Sequence, residues 1–142
     1  MTVTWKNTVK HTIKRGIHPY LNGAWAPMFD EVNASDMEVI GEIPKDIDGI
    51  YIRNTENPVQ KPLGHYHPFD GDGMLHAMSF KDGKAEYRNR FIRTEGFVAE
   101  QQAGKALWTG FVNDAKLSTR QGWGAQEYIK DSSSTDVVVH AG

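Results

Sequence analysis

Met74-Leu75-His76-Ala77-Met78-Ser79-Phe80, then Lys81-Asp82-Gly83-Lys84, then Ala85-Glu86-Tyr87-Arg88-Asn89-Arg90-Phe91-Ile92-Arg93-Thr94 run on without a gap. The outer segments read as strands. Asp82-Gly83 between them accepts the positive φ that a type I′ hairpin turn demands. In the return strand Tyr87, Asn89, Phe91 and Arg93 share one face, and Glu86, Arg88, Arg90 and Ile92 share the other. Neither face is cleanly apolar. That pattern suits a blade of several strands better than a two-sheet core.

Beyond the hairpin, Glu95 to Ala103 turns to helix-friendly residues, and Gly104 is a C-terminal stop. Residues 113–134 are polar and carry Gly122-Trp123-Gly124 and Ser132-Ser133-Ser134; they read as a long excursion between strands. Val137-Val138-Val139-His140 reads as a final strand. Its unpaired edge would recruit partners or aggregate, and on periodicity the chain reads as cut before its natural end. Before the hairpin, Glu38 to Ile43 alternates as a strand, Pro44 to Gly49 supplies turn chemistry, and Ile50-Tyr51-Ile52-Arg53 is a second strand. Asn54 to Gly64 follows as a loop broken by Pro58 and Pro62.

Charge is uneven. Residues 1–18 hold Lys6, Lys10, Lys14 and Arg15 and no acid, whereas residues 19–50 hold seven acids against Lys45 alone. Trp5, Val9, Ile13 and Ile17 stand four apart, which suggests a short helix with one apolar stripe and a basic flank. Two readings stand for it: an arm packed on the body, or a foot on an anionic membrane surface.

The 142 residues suit one ordinary domain with a real core. The absence of cysteine excludes a disulfide framework, a zinc-thiolate site and a cysteine nucleophile. A net charge of −2 argues against a general nucleic-acid binder. No apolar run approaches the roughly 20 residues of a membrane span.

Several motifs fail on inspection. His65 and His67 share a face of an extended segment but lack the further ligands a metal site wants. Asp70-Gly71-Asp72-Gly73 invites calcium, yet an EF-hand loop starting at Asp70 would put Leu75 at its sixth place and Lys81 at its twelfth. Asp70 and Asp72 read instead as a structural loop whose carboxylates cap backbone N–H groups. Gly71 to His76 starts like a dinucleotide fingerprint but precedes a strand. No nucleophile–base pair stands out.

The stretch Val39-Ile40-Gly41-Glu42-Ile43-Pro44-Lys45-Asp46-Ile47-Asp48-Gly49-Ile50-Tyr51-Ile52-Arg53-Asn54 resembles the opening of the carotenoid oxygenase family, the carotenoid and stilbene cleavage dioxygenases. So do His67-Pro68-Phe69-Asp70-Gly71-Asp72-Gly73-Met74-Leu75-His76-Ala77, the run from Phe80 through Glu95, and Thr135 to Gly142. These blocks stand in the family's order over about residues 18–142. The resemblance implies an all-β fold: the first blades of a seven-bladed β-propeller, with an N-terminal arm over 1–25 and one short helix, the propeller occupying 26–142. It implies Fe(II) held by four histidines and a hydrophobic tunnel for a polyene or stilbene. Dioxygen is added across one C=C bond to give two carbonyl fragments. Neutral imidazoles suit Fe(II), and open positions admit O₂.

Family members are several times longer, and their iron ligands lie in later blocks. None maps onto residues 1–142, so this segment is expected to be inactive alone. The resemblance carries a substrate-facing role to Phe69, with ordinary core packing as the alternative reading. Relatives usually read Arg-Asn-Gly-Pro-Asn-Pro where this chain has Arg53-Asn54-Thr55-Glu56-Asn57-Pro58, often have Trp at Pro68, and usually have Asn at Asp136. The expected partners are an apolar small molecule and O₂, with no nucleic acid. The expected location is cytoplasmic, with residues 1–18 as the candidate membrane contact. A self-standing β binding module or scaffold piece is the alternative.

Overall fold

The computed structural model describes residues 2–35, 37–120 and 129–141. Gly122-Trp123-Gly124 lies outside the described residues. Strands β1 (Thr2–Thr8), β2 (Asp30–Ser35), β3 (Gly49–Asn57), β4 (Asp72–Lys81) and β5 (Lys84–Phe91) form one antiparallel sheet in the order β1-β2-β5-β4-β3. Its centre is the hairpin β4–β5, paired from Met74↔Phe91 to Lys81↔Lys84. Asp82 and Gly83 take φ of 51° and 73°, the two positive values of a type I′ turn.

Register decides which side chains share a face. Thr55, His76 and Asn89 are cross-strand neighbours or nearly so, with Met74 opposite Phe91. This face carries the core at one end. Val9, Val59, Met74, Phe91 and Phe97 pack together there, with Met28 against them. Phe91 and Phe97 stack at 5.1 Å. Each such side chain contributes about 1.5–3 kcal/mol by leaving water. Phe97 belongs to helix α1 (Glu95–Ala103). The Thr94 hydroxyl accepts the Phe97 N–H at its start, and Gly104 closes it at φ 65°.

Amide side chains tie the irregular chain to this frame. Asn57 grips Met28, accepting its N–H at 2.8 Å and donating to its carbonyl. Fully buried Asn89 accepts the Val32 N–H and donates to the Asp30 carbonyl. Gln101 grips both backbone groups of Lys10. Each amide matches a backbone donor and a backbone acceptor at once.

Several local expectations fail. Residues 2–8 are a strand, not part of a helix, because β1 finds a long-range partner in β2. Val9 and Ile13 are buried, while Ile17 is 71% exposed. Residues 38–43 form no strand: Ile40 is 97% exposed and no neighbouring strand meets its alternation. The segment 137–140 is likewise not a strand, and Val138 and Val139 lie open. The predicted loop from Asn54 begins later, since β3 runs to Asn57 against Asp72. Polar β2 gave no local signal and exists through its two neighbours.

Candidate functional site

Phe69 sits in a one-turn 3₁₀ segment, Pro68–Asp70. Its start is closed reciprocally. The His67 Nδ1 accepts the Phe69 N–H, and the Asp70 Oδ2 accepts the His67 N–H at 2.9 Å. The other Asp70 oxygen reaches across the fold and accepts the Phe111 N–H at 2.9 Å. A second staple lies beside it: Asn113 accepts the His65 N–H and donates to the His65 carbonyl, both at 2.8 Å. Glycine lets the loops meet this closely: a Cβ on Gly110 would displace the Asp70 carboxylate and one on Gly64 the Asn113 amide, the two groups that make the staples.

These staples hold two aromatic rings outward. Phe69 is 64% exposed, and its ring lies 6.0 Å from that of Phe111, nearly parallel. The His67 imidazole meets Phe111 edge-on at 4.5 Å and Phe69 at 5.0 Å. A cleft of about 130 Å³ opens behind them, with Tyr66 and Trp108 in its walls. Burial, then Asp70 and Glu56, push the Tyr66 phenol up to about 12, so it stays a neutral donor. Phe111 was not singled out from sequence. Its pairing with Phe69 rests on a bond spanning 41 positions, for which local patterning offers no signal.

Asp72 corrects the sequence reading. Among the described residues its bond is to an ammonium and not to loop N–H groups: it is buried with Glu100 around Lys130, each carboxylate 2.6 Å away. Two acids face one base. Burial holds the Asp72 carboxyl above its usual range, while Lys130 opposes that rise. For Lys130 burial pulls downward, but the two carboxylates outweigh it and the net direction is up. The triad docks residues 130–133 on the sheet. The Gly73 N–H donates to the Ser132 carbonyl, whose approach leaves no room for a Cβ at Gly73.

A third cluster lies at the open end of the core face. The Thr55 hydroxyl donates to the Met74 carbonyl and so accepts from His76 Nε2 at 3.1 Å. That leaves His76 Nδ1 to accept the Tyr87 hydroxyl at 2.7 Å. Burial, then Arg53, hold the imidazole below its ordinary value.

Among the described residues the histidines are not gathered at one place, and several are spent on hydrogen bonds. His67 and His18 spend Nδ1 on backbone N–H groups, and His76 spends both nitrogens. Among the described residues no three His, Cys, Asp or Glu side chains converge as metal ligands do.

The family model for retinal pigment epithelial membrane protein matches residues 25–142. The chain belongs to that family, the carotenoid oxygenases. It is 41% identical over 127 residues to a carotenoid cleavage oxygenase of Mycobacterium tuberculosis, covering 88% of this chain and 23% of the relative. The lignostilbene dioxygenase of Pseudomonas brassicacearum superposes with a TM-score of 0.67 at 25% identity, over 87% of this chain and 24% of that one. Cobalt-substituted apocarotenoid oxygenase of Synechocystis superposes at 0.52 with 39% identity, over 59% and 18% respectively. The chain thus spans a quarter or less of the relatives it matches. Its structural neighbours are β-propeller oxygenases, and the five-stranded sheet and the α-helix of the described residues are a part of that fold.

Proposed function

We propose that these residues open the propeller of a non-haem iron(II) dioxygenase that cleaves a C=C bond of an apolar polyene or stilbene. The observation that carries the reading is the family match over residues 25–142 together with the stapled pair Phe69 and Phe111. Two exposed, near-parallel rings make an apolar wall, and a wall of that kind selects a flat, conjugated chain and fixes its position. Asp70 and Asn113 supply the rigidity. Small displacements of a bound double bond are costly in rate, so a stapled wall suits the task. The neutral Tyr66 phenol offers a hydroxyl donor beside it.

The described residues do not fit the iron, so its ligands belong to other parts of the polypeptide. In this division the present residues bind and orient, and the metal chemistry happens elsewhere. The intracellular location and the contact of residues 1–18 with anionic membrane belong to the same proposal. That contact rests on Lys10 and Lys14, because the Arg15 guanidinium is committed to the Pro27 carbonyl.

The test is cleavage under ¹⁸O₂ by the protein of the complete reading frame, with a stilbene and an apocarotenoid offered separately. One ¹⁸O in each carbonyl fragment supports dioxygenation. Label in one fragment only means monooxygenation, and an intact, isomerised substrate means that oxygenation has been lost.

A further inference from the structure

A cleft of about 400 Å³ separates the strap of residues 12–21 from the loop of residues 61–66, apart from the Phe69–Phe111 wall. Its floor and rim are apolar: Ile13, Ile17, Leu21 and Pro62. Ile13 and Leu21 are buried, yet Ile17 projects into solvent with nothing over it. Around this apolar surface stand Lys14, Lys61, His18 and His65, and no carboxylate lines the cleft. Among the described residues neither Lys14 nor Lys61 has an acidic partner, although the chain as a whole is acidic. His18 accepts the Tyr20 N–H on Nδ1, so its Nε2–H is left as a donor.

Both walls are preformed. The Thr12 and Ile13 N–H groups bond the Val59 carbonyl, the Gly16 N–H bonds the Leu21 carbonyl, and Arg15 holds Pro27. On the other side the Lys61 N–H donates to the Thr12 hydroxyl, and Asn113 pins His65. A cleft held open in this way loses little entropy on binding.

We propose that this cleft binds one amphiphilic anion: an apolar chain ending in a carboxylate or phosphate. The chain covers Ile17, Ile13 and Leu21, and the head group meets Lys14, Lys61 and the His18 Nε2–H. The volume is that of a small-molecule site. Unpaired cations beside an apolar surface complement a ligand with both characters. The inference does not depend on the oxygenase reading, since neither Phe69 nor Phe111 lines this cleft, although Pro62 and Tyr66 border both clefts.

The experiment is titration calorimetry of the protein with decanoate, decyl phosphate and uncharged decanol, and sedimentation with vesicles containing phosphatidylglycerol. The expected result is saturable binding of an anion, one per chain, with decanol about tenfold weaker. Lys14→Gln with Lys61→Gln weakens the anion about tenfold and leaves decanol unchanged; Ile17→Asp weakens both. These positions are exposed, and circular dichroism checks that each variant keeps its fold. Absence of saturable anion binding, equal binding of decanol, or insensitivity to the lysine changes overturns the proposal. Sedimentation with vesicles without binding of either soluble anion also overturns it and assigns the lysines to a flat membrane contact instead.

Discussion

The Asp70 carboxylate and the Phe111 backbone, 41 positions apart, are joined by a 2.9 Å hydrogen bond that sets one phenyl ring beside another. The same carboxylate closes the turn that presents Phe69. One side chain therefore fixes both halves of the aromatic wall. Asp70→Ala removes two charge-assisted acceptors and is expected to cost about 1–3 kcal/mol per orphaned, buried donor, less where water reaches it. Asp70→Asn keeps one acceptor and should cost less. Chemical denaturation checks the order, and quenching of the Phe69 and Phe111 ring contacts in NMR spectra reads the loosening.

Lys130 tests the buried triad. Lys130→Met leaves Asp72 and Glu100 facing one another without a cation and is expected to destabilise by about 3–5 kcal/mol at neutral pH. Asp72→Asn leaves a one-to-one pair and should cost less. The folded-state pKa of Asp72 lies above its reference value of 3.8, so the native state holds that proton more tightly. Stability drawn from this group is therefore present below 3.8 and is lost as pH rises through the window above it. Lys130→Met widens that window, and its melting temperature should fall more steeply than the parent's between pH 4 and 7. A parallel pair of curves contradicts this.

His76 gives the opposite slope. Its folded-state pKa lies below 6.5, so the unfolded chain takes up the proton first. Stability from this group is present above 6.5 and declines as pH falls through 6.5 toward the folded value. His76→Gln keeps a donor and an acceptor for Thr55 and Tyr87 and should flatten that decline. A melting curve against pH for both proteins reads it.

Thr94 offers a local check. Thr94→Ala removes the hydroxyl that accepts the Phe97 N–H and is expected to cost about 1 kcal/mol; Thr94→Ser should restore most of it. Guanidinium unfolding midpoints measure both.

Local chemistry was legible and distant pairing was not. The hairpin could be read because Asp82-Gly83 admits only a narrow set of turns, and α1 because Glu95 to Ala103 are helix-friendly residues that end at Gly104; the Thr94 cap, at the end of the predicted strand, was not legible. Val39, Ile40 and Val137 to Val139 carry strand-like residues but find no neighbouring strand. Asp30 to Ser35 carries few, yet is held as a strand by Asn89 and by β1 and β5. At the site, Phe69 came from resemblance, while Phe111 and the Asp72–Lys130–Glu100 triad depend on contacts 30 to 58 positions apart. Neighbouring acids such as Asp70 and Asp72 look alike in sequence; only the fold separates the half-buried staple from the buried ion.

The division between an aromatic wall here and a metal centre elsewhere is tested most directly by iron content. The purified 142-residue chain is loaded anaerobically with Fe(II), desalted and assayed for iron beside the protein of the complete reading frame. The predicted result is iron far below one per chain for the shorter protein and close to one for the longer. One tightly held iron per 142-residue chain, lost on His65→Ala or His67→Ala, would contradict it.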